Sequence, residues 1–368
     1  MASKLAGSVV ITGIAEVGSE REDSLETLVF RGARAALDEA GLDRRDLDGV
    51  VLAASDQTDG RAITSMLTSG PAGAYLNDEI NAASSPGHAL ALGFMQILSG
   101  THQRLLVSSW GKSSETAGSV QAAERLSADP FFERDGGLSA AAAAAFQAQQ
   151  RRVNATDGAL AAARIAARNH GDVDEAAILA SAVVASPLRE LEVPPEIDRT
   201  FSILLERAGR DTPAVKLASV GWCSDSGRIA ERDLSALPHL QRAAEDAYQR
   251  AGIQSPTDEI GSWHLHDYTP DAEILAYGPL GICAAAAAND LALSGATAYG
   301  GLLPVNPDGG SVRGEAPFGG PMAKVLAAVR QVRGTATNQV SDLDRALAQL
   351  TTGFAGQFQT VAIVERQQ

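Results

Sequence analysis

The chain has 368 residues, of which 45 % are hydrophobic and 20 % are charged, so it contains enough apolar side chains for a sizeable folded core. It carries 45 acidic and 30 basic residues, a formal net charge of −15, which argues against broad binding to nucleic acid or to an anionic membrane. A few local arginines can still bind an anionic small molecule, so the net charge leaves that class of ligand open.

The first third of the chain predicts strands and helices that alternate. Apolar periodicity and helix-ending glycines define these elements, as at Gly41. In chain order they are strand 8–14, helix 24–40, strand 50–54, strand 79–83, helix 87–98 and strand 104–109. This alternation is typical of a layered α/β fold.

The middle of the chain has a different composition. From about residue 111 to residue 214 it is alanine-rich, charged and helical, with helices predicted over 159–169 and 175–184. A strand over 215–221 returns the chain to the sheet, and alternating elements continue to a last strand over 360–365. The predicted domains are 1–111, the first part of an N-terminal half; 112–214, a helical loop domain; 215–235, a return strand and linker; and 236–368, a C-terminal half.

An internal similarity supports two related halves. The segment A-L-D-E-A-G-L over 36–42 resembles A-Y-Q-R-A-G-I over 247–253, and each is followed after a short loop by a strand, 49–54 and 262–267 respectively. This helix ending is common in α/β proteins, so coincidence stays open for this single match.

Cysteine usage and apolar segments indicate a cytoplasmic protein. Cys223 and Cys283 form no C-x-x-C motif, so we expect neither a disulfide framework nor a metal site. The first residues lack the features of a signal peptide, so we expect no export. The most apolar windows, 138–146 and 281–288, are far shorter than the roughly 20 residues of a membrane span.

Three further blocks occur in an order that resembles the thiolase superfamily, in its sterol-carrier-protein thiolase (lipid-transfer protein) branch. They are I-N-A-A-S-S-P-G over 80–87, L-H-D-Y-T-P over 265–270 followed by E-I-L-A-Y-G-P-L-G over 273–281, and V-N-P-D-G-G over 305–310. They resemble the family's N-x-x-C-x-S-G turn, its H-D-x-F-T block and its N-P-S-G-G segment. The resemblance covers nearly the whole chain. It implies a five-layered αβαβα thiolase fold with two pseudo-repeated halves and a helical loop domain.

The sequence departs from this family at the nucleophile. A thiolase needs a cysteine thiolate that accepts the acyl group. Counting from Asn81 or from Gly87 places Ser84 at that position, whereas counting back from the helix end places Ala83 there. A serine would need its own activating base, and His88 follows this turn as a residue near the site.

Two further thiolase groups are also replaced. The family's catalytic histidine corresponds to Glu315 or Ala316, and its second cysteine to the segment T-T-G that ends at Gly353. Ordinary thiolysis or Claisen condensation through an acyl-cysteine is therefore not expected.

The same pattern resembles the thiolase-like steroid side-chain-cleaving aldolases. The shared segments are D-Y-T-P over 267–270, G-E-A over 314–316, R-Q-V-R-G-T over 330–335 and N-Q-V over 338–340. The resemblance implies retro-aldol cleavage of a β-hydroxyacyl-CoA to a ketone and a thioester enolate, which is then protonated. Pro317 stands where that branch has a tyrosine, so one acid/base group is missing.

The candidate catalytic residues lie at the end of one strand and in one loop. Tyr268, which follows His266 and Asp267, is the predicted proton-transfer group, and its alternative role is a packed aromatic. His266 is predicted to orient the thioester carbonyl or to donate to the enolate oxygen. His264 is interpreted as a packed histidine. Glu315 is predicted as a base or as a residue that holds a partner, with a solvated loop carboxylate as the alternative.

The remaining candidates concern substrate binding. Ser84, Asn306, Gly309, Gly310 and Gly353 are predicted near the thioester or its oxyanion, although 306–310 would also make an ordinary turn. Arg151 and Arg152 are the predicted cations for the CoA phosphates, with a solvated arginine pair as the alternative. Coenzyme A is expected as part of the substrate, and no covalently bound cofactor is expected.

The leading hypothesis from the sequence is an acyl-CoA aldolase that acts on a β-hydroxyacyl-CoA, such as one with a steroid side chain. The alternatives are a non-catalytic thiolase-like subunit of a heteromeric acyl-CoA enzyme, which loss of the thiolase groups would also explain, and an atypical acyltransferase that uses Ser84. The resemblance further implies a homodimer and a small zinc-ribbon/OB-fold partner protein.

Overall fold

A computed structural model describes residues 8–19, 23–115, 140–209 and 215–367. The strands are β1 (Val9–Gly18), β2 (Gly49–Ala53), β3 (Asp78–Asn81), β4 (Arg104–Gly111), β5 (Val183–Ala185), β6 (Leu188–Arg189), β7 (Arg199–Arg207), β8 (Val215–Ser224), β9 (Ser262–Leu265), β10 (Arg345–Thr352) and β11 (Phe358–Arg366). The helices are α1 (Leu25–Ala40), α2 (Asp56–Asp59), α3 (Thr64–Thr68), α4 (Pro86–Ser99), α5 (Ala140–Val153), α6 (Gly158–His170), α7 (Glu175–Ala180), α8 (Pro238–Ala251), α9 (Pro256–Glu259), α10 (Pro270–Tyr277), α11 (Ala288–Ser294) and α12 (Ala323–Arg333).

Nine of these strands form a mixed sheet in the order β3-β2-β4-β7-β1-β8-β11-β10-β9. Strands β3, β2 and β4 are parallel to one another, as are β9 and β10, whereas β1 pairs antiparallel with β7 and β8. The two halves of the sheet are joined where β1 meets β8, over only the three pairs that begin at Val9 and Leu217. This short junction lets each half carry helices on both of its faces.

The layers follow from the alternation of apolar residues along the strands. In β2, Val50 and Leu52 pack under α1, whereas Val51 and Ala53 face a core shared with α4 and α12. Helices α4 and α12 contact strands of both halves, and α8 covers the outer face of the second half. The order of layers is helix, sheet, helix, sheet, helix, which confirms the predicted five-layered α/β fold.

The corresponding helices of the two halves end alike. Ser24 caps the beginning of α1 by accepting from the backbone N–H of Thr27, and Gly41 ends the helix in the left-handed conformation. Gly252 ends α8 in the same conformation. A Cβ at Gly221 of β8 would overlap the carbonyl oxygen of Ala243 in α8, so the helix lies close against the strand there.

The structure differs from the predicted elements in the middle of the chain. Strand β7 lies between β4 and β1 in the main sheet, although the sequence assigned residues 112–214 to a helical loop domain. The predicted helix over 175–184 ends at Ala180, and the next residues form a hairpin of β5 and β6. Within the described residues, no helix has both the length and the apolar character needed to cross a membrane.

Candidate functional site

The main cavity lies at the carboxyl ends of parallel strands from both halves. Its volume is about 510 Å³, and it is lined by the segments that follow β2, β3, β9 and β10 together with α5 and the loop around Glu315. The carboxyl ends of parallel strands are the usual position for ligand sites in α/β folds. Of the predicted site residues, Ser84, His266, Tyr268, Glu315 and Gly353 line this cavity.

The turn between β3 and α4 presents Ser84 to the cavity. The Asn81 side chain accepts from the backbone N–H of Ala54 at 3.2 Å, and Ser85 caps α4 by accepting from the N–H of Gly87 at 3.1 Å. These bonds fix both sides of the turn. The Oγ of Ser84 lies 2.8 Å from Nδ1 of His88, one helical turn later.

The end of β9 places alternate side chains on opposite sides. His266 and Tyr268 line the cavity, whereas Asp267 between them is buried away from it. The backbone N–H of His266 donates to the carbonyl and side-chain oxygens of Gln349 in β10, at 3.2 and 2.8 Å. This pairing fixes the direction of the His266 side chain at the strand end.

His266 and Glu315 form a pair of titratable side chains in the lining of the main cavity. Nε2 of His266 lies 3.4 Å from Oε1 of Glu315, and the two side chains are only 9 % and 10 % exposed. The Glu315 backbone bonds to Pro195 and Ile197, which anchors the loop. Gly320 leaves room for the carboxylate, because a Cβ at that position would overlap Oε1.

The electrostatic environment keeps Glu315 ionised. Burial alone would raise the pKa of this carboxyl group, but the attraction of His266 and then of Lys324 outweighs burial, so the pKa lies below its ordinary value. A buried carboxylate beside an imidazole can orient the ring and stabilise it when it takes a proton.

Lys324 lies beneath this pair in what we call the Lys324 cluster, which comprises Lys324, Asp267, Asp308, Glu315, His264 and His266. Its ammonium donates to Asp267 at 2.7 Å and is almost fully buried. Burial alone would lower the pKa of Lys324, but Asp267 and Asp308 outweigh it and raise the pKa. Asp308 also lies 3.7 Å from Nδ1 of His264, which confirms that His264 is a packed histidine.

Several predicted substrate residues instead support the loop around the cluster and do not line the main cavity. Asn306 accepts from the N–H of Leu265 at 2.8 Å and donates to Glu273 at 2.9 Å. Gly310 has a φ of 67°, and a Cβ there would overlap the Asp267 carboxylate. Gly309 has a φ of 98° and approaches the backbone of Asn169. These glycines allow a close turn over a buried charge.

Arg151 and Arg152 lie outside the cavity in a buried ionic cluster, the Arg152 cluster, with Asp271, Glu192 and Asn289. Nε of Arg151 donates to Asp271 at 2.6 Å, and Nη2 of Arg152 donates to Glu192 at 2.7 Å and to Asp271 at 2.6 Å. The cluster joins α5 to α10. The structure therefore does not bring these arginines to the cavity, and their contact with CoA phosphates stays a prediction.

The sequence reasoning missed polar residues on the strand wall. Gln349 donates to Gln359 at 2.7 Å, and Thr351 donates to the same oxygen at 2.9 Å, beside Gly353. All four line the main cavity. Glutamines inside two apolar strands were the available signal, since a buried amide in a strand needs a polar neighbour. Lys324, before the apolar run of α12, was a similar signal.

The rest of the lining is largely apolar. It includes Ala144, Leu237, Pro317, Phe318 and Phe354. Pro317, which stands at the tyrosine position of the aldolase motif, lies in this lining and has no ionisable side chain. The cavity thus combines an apolar surface suited to an acyl chain with a few converging polar groups.

Comparison with known proteins gives related sequences. Residues 221–366 match the family described as Thiolase C-terminal domain-like. The chain is 30 % identical over 179 residues to a 17-hydroxy-3-oxo-4-pregnene-20-carboxyl-CoA lyase of Mycobacterium tuberculosis, and 31 % identical over 180 residues to a steroid side-chain-cleaving aldolase of Thermomonospora curvata. Each match covers 46 % of this chain and 45 % of the relative, so the chain spans about half the length of these relatives.

A further relative matches over most of its length. An acetyl-CoA acetyltransferase of Methanothermobacter thermautotrophicus is 26 % identical over 358 residues, which are 89 % of this chain and 91 % of that protein.

Solved structures share the fold. An Ltp2-ChsH2(DUF35) aldolase superposes with a TM-score of 0.81 at 20 % identity and covers 98 % of each chain. A monomeric SCP2-thiolase-like protein of Mycobacterium smegmatis superposes with a TM-score of 0.74 at 18 % identity, over 100 % of this chain and 79 % of that one. At these identities the similarity establishes the thiolase fold.

Proposed function

Because this chain belongs to the thiolase superfamily, in the branch similar to sterol carrier protein 2, we propose that it is an acyl-CoA aldolase. The proposal rests on one observation: the main cavity presents the His266–Glu315 pair and Tyr268 but no cysteine among its described lining residues. That set lacks a thiolate for acyl transfer but contains acid/base groups. Two relatives whose names denote lyase or aldolase activity favour the same reaction class.

In the proposed reaction the substrate is a β-hydroxyacyl-CoA, and coenzyme A takes part only as a portion of it. His266 takes the hydroxyl proton, and the ionised Glu315 stabilises the imidazolium that forms. The bond between the α and β carbons breaks, so the β carbon leaves as a ketone and the acyl-CoA remains as an enolate. Tyr268 donates a hydrogen bond to the enolate oxygen. His266 then returns the proton to the α carbon, which restores the starting protonation.

This assignment moves the proton-transfer role from Tyr268 to His266. A phenolic O–H is a hydrogen-bond donor suited to an enolate oxygen, so Tyr268 is assigned that role. His266, in contrast, has a carboxylate 3.4 Å away to compensate the positive charge.

The test incubates the purified chain with branched and steroidal β-hydroxyacyl-CoAs and identifies products by mass spectrometry. We expect a ketone and a shortened acyl-CoA, and a loss of at least about 100-fold in kcat for His266→Gln and of about 10-fold or more for Tyr268→Phe. Tyr299→Phe is the matched control, because Tyr299 is an exposed tyrosine outside the cavity. If the chain bound the CoA ester without turnover, the proposal that the isolated chain is an aldolase would be contradicted. The alternative of a non-catalytic subunit would then be favoured.

We further propose a homodimer formed along β3. This strand is at one end of the sheet order, and its residues are exposed or half-buried. Met66, Tyr75 and Leu76 add exposed apolar surface on the segment before it, with Leu76 94 % exposed. Light scattering should give a dimer mass for the purified chain and a monomer mass for Leu76→Asp. A monomer mass for the unmodified chain would contradict the proposal.

A small partner protein is the second assembly proposal. One structural neighbour, the Ltp2-ChsH2(DUF35) aldolase, carries in its name a DUF35 component beside the aldolase. By that similarity we propose that a zinc-ribbon/OB-fold protein binds this chain. Co-expression with a candidate partner should yield a stable complex in size-exclusion chromatography, and separate elution of the two proteins would argue against it.

A further inference from the structure

Ser84 lines the main cavity, and His88 lies directly behind it in α4. The Ser84 hydroxyl lies 2.8 Å from Nδ1 of His88, which is hydrogen-bonding distance for a nucleophile and its base. Both residues sit on one rigid unit, since Ser84 precedes the cap of α4 and His88 lies in its first turn. Ser84 lines the same cavity as His266, yet the pair follows β3, in the other half of the sheet from β9.

The environment of His88 favours the neutral imidazole. Its ring packs edge-on against Phe358, with the ring centroids 5.3 Å apart. Burial lowers the pKa of His88 below its ordinary value, because an imidazolium loses solvation there. A neutral ring whose Nδ1 faces a hydroxyl can accept its proton.

The other ring nitrogen is unsatisfied. Nε2 of His88 is buried and has no hydrogen-bond partner among the described residues. Such a group costs stability in either tautomer, and a catalytic role is one explanation for keeping it. A histidine that only filled space between α4 and β11 would gain nothing from this nitrogen.

We propose that Ser84 and His88 are a nucleophile and base that hydrolyse an acyl-CoA thioester through an acyl-serine. Ser84 Oγ attacks the thioester carbonyl while its proton passes to Nδ1 of His88, and the carbon–sulfur bond breaks. The CoA thiolate leaves and takes the proton from His88. A water molecule then attacks the acyl-serine, His88 takes its proton and returns it to Ser84 Oγ, and a carboxylic acid is released.

This activity goes beyond the aldol cleavage proposed above. It breaks a carbon–sulfur bond instead of a carbon–carbon bond, and it uses Ser84 and His88 instead of His266 and Tyr268. The two reactions are therefore separable: a thioester without a β-hydroxyl group is a substrate for hydrolysis but cannot undergo aldol cleavage. The failure of one proposal does not imply the failure of the other.

The experiment uses acetyl-CoA and propionyl-CoA with the full chain. Release of free CoA is followed with a thiol reagent, and the intact protein is examined by mass spectrometry for the added acyl group. We expect release of CoA and an acyl group on the peptide that contains Ser84. Ser84→Ala should reduce CoA release by at least about 100-fold and abolish the acylated peptide. His88→Asn should give a similar loss of rate.

Ser99→Ala is the matched control, since Ser99 is an exposed serine at the other end of α4 and should leave the rate unchanged. Ser84 is itself exposed, so Ser84→Ala should keep the unfolding midpoint of the unmodified chain. No CoA release above the uncatalysed rate would overturn the proposal. Equal rates for the unmodified chain and Ser84→Ala would overturn it as well.

Discussion

The Lys324 cluster and the Arg152 cluster are both buried and ionic, but they differ in how their charges are matched. In the Arg152 cluster two guanidiniums face two carboxylates, and every guanidinium nitrogen of Arg151 donates to a protein oxygen. In the Lys324 cluster one ammonium lies among the carboxylates of Asp267, Asp308 and Glu315. The cations of the first cluster are paired within the protein, whereas the second cluster presents the Glu315 carboxylate to the main cavity.

The same contrast appears in the unsatisfied atoms. Nε2 of His266, Nδ1 of His264 and Oε1 of Glu315 are buried without a formed hydrogen bond, and two of these residues, His266 and Glu315, line the cavity. A fully paired buried network stabilises one arrangement of helices, whereas a partly paired one keeps donors and acceptors available for a ligand. Pairing therefore separates a structural cluster from a candidate reactive one more clearly than burial does.

The largest expected effect breaks the Arg152 cluster. Asp271→Ala removes the carboxylate shared by Arg151 and Arg152 and leaves two buried guanidiniums with too little compensation. We expect the free energy of unfolding to fall by about 3–5 kcal/mol. Urea unfolding followed by circular dichroism measures this change.

The control for this prediction is Asp172→Ala. Asp172 pairs with Arg313, but both side chains are mostly exposed, so the change should stay within about 0.5 kcal/mol. An equally small effect for Asp271→Ala would mean that the cluster does not hold α5 and α10 together.

Asp59 is a buried carboxylate with little compensating positive charge, and it extends the comparison between the two ionic clusters. Burial raises the pKa of Asp59 to about 7, against the smaller opposite effects of a hydrogen bond from Trp110 and the charge of Arg61. The folded state thus holds a proton that the unfolded state releases between pH 4 and pH 7. Stability from this group is present at low pH and is lost as the pH rises through about 7.

Asp59→Asn removes the dependence of stability on pH that this carboxyl group causes, and it keeps a side-chain oxygen that can accept a hydrogen bond from Trp110. Relative to the unmodified chain, we expect the variant to gain roughly 2–4 kcal/mol between pH 4 and pH 8, with the change ending above about pH 7. Unfolding by urea at five pH values measures the difference. Asp344→Asn, which alters a side chain that is 81 % exposed, is the control. A constant difference across this range would show that Asp59 ionises normally.

Much of the fold was predictable because its signals are local. Ser24 and Gly41 fixed the ends of α1 to within one residue, and apolar runs located β1, β2 and β4. Strand β7 was missed because it follows a long helical excursion and pairs with strands that are distant in sequence, β4 and β1, which no local pattern encodes.

The candidate site was predictable to the extent that strand ends converge. Ser84, His266 and Glu315 come from separate blocks, and the ends of β3 and β9 bring the first two to one cavity. The roles of Arg151 and Arg152 were not predictable, since their partner Asp271 is about 120 residues away. A sequence shows which residues are charged, but it does not show which oppositely charged residue each one pairs with in the fold.

The smallest expected effect on stability, and the most informative about function, is that of Glu315→Gln. We expect kcat for aldol cleavage to fall about 100-fold, or about 2.7 kcal/mol, with little change in KM, because Glu315 acts through His266 as a positioning residue.

The lowered pKa of Glu315 means that its carboxylate contributes stability above about pH 4.5, and this contribution is lost as the pH falls below that value. At pH 7 the amide keeps the volume and a polar contact, so we expect a change in stability below about 1 kcal/mol. Glu231→Gln, on an exposed pair with Arg228, is the control. The acid limb of the kcat–pH profile should shift in Glu315→Gln but not in the control. If Glu315→Gln kept full activity and an unchanged kcat–pH profile, Glu315 would have a structural role, as the residues of the Arg152 cluster do, and would not assist His266.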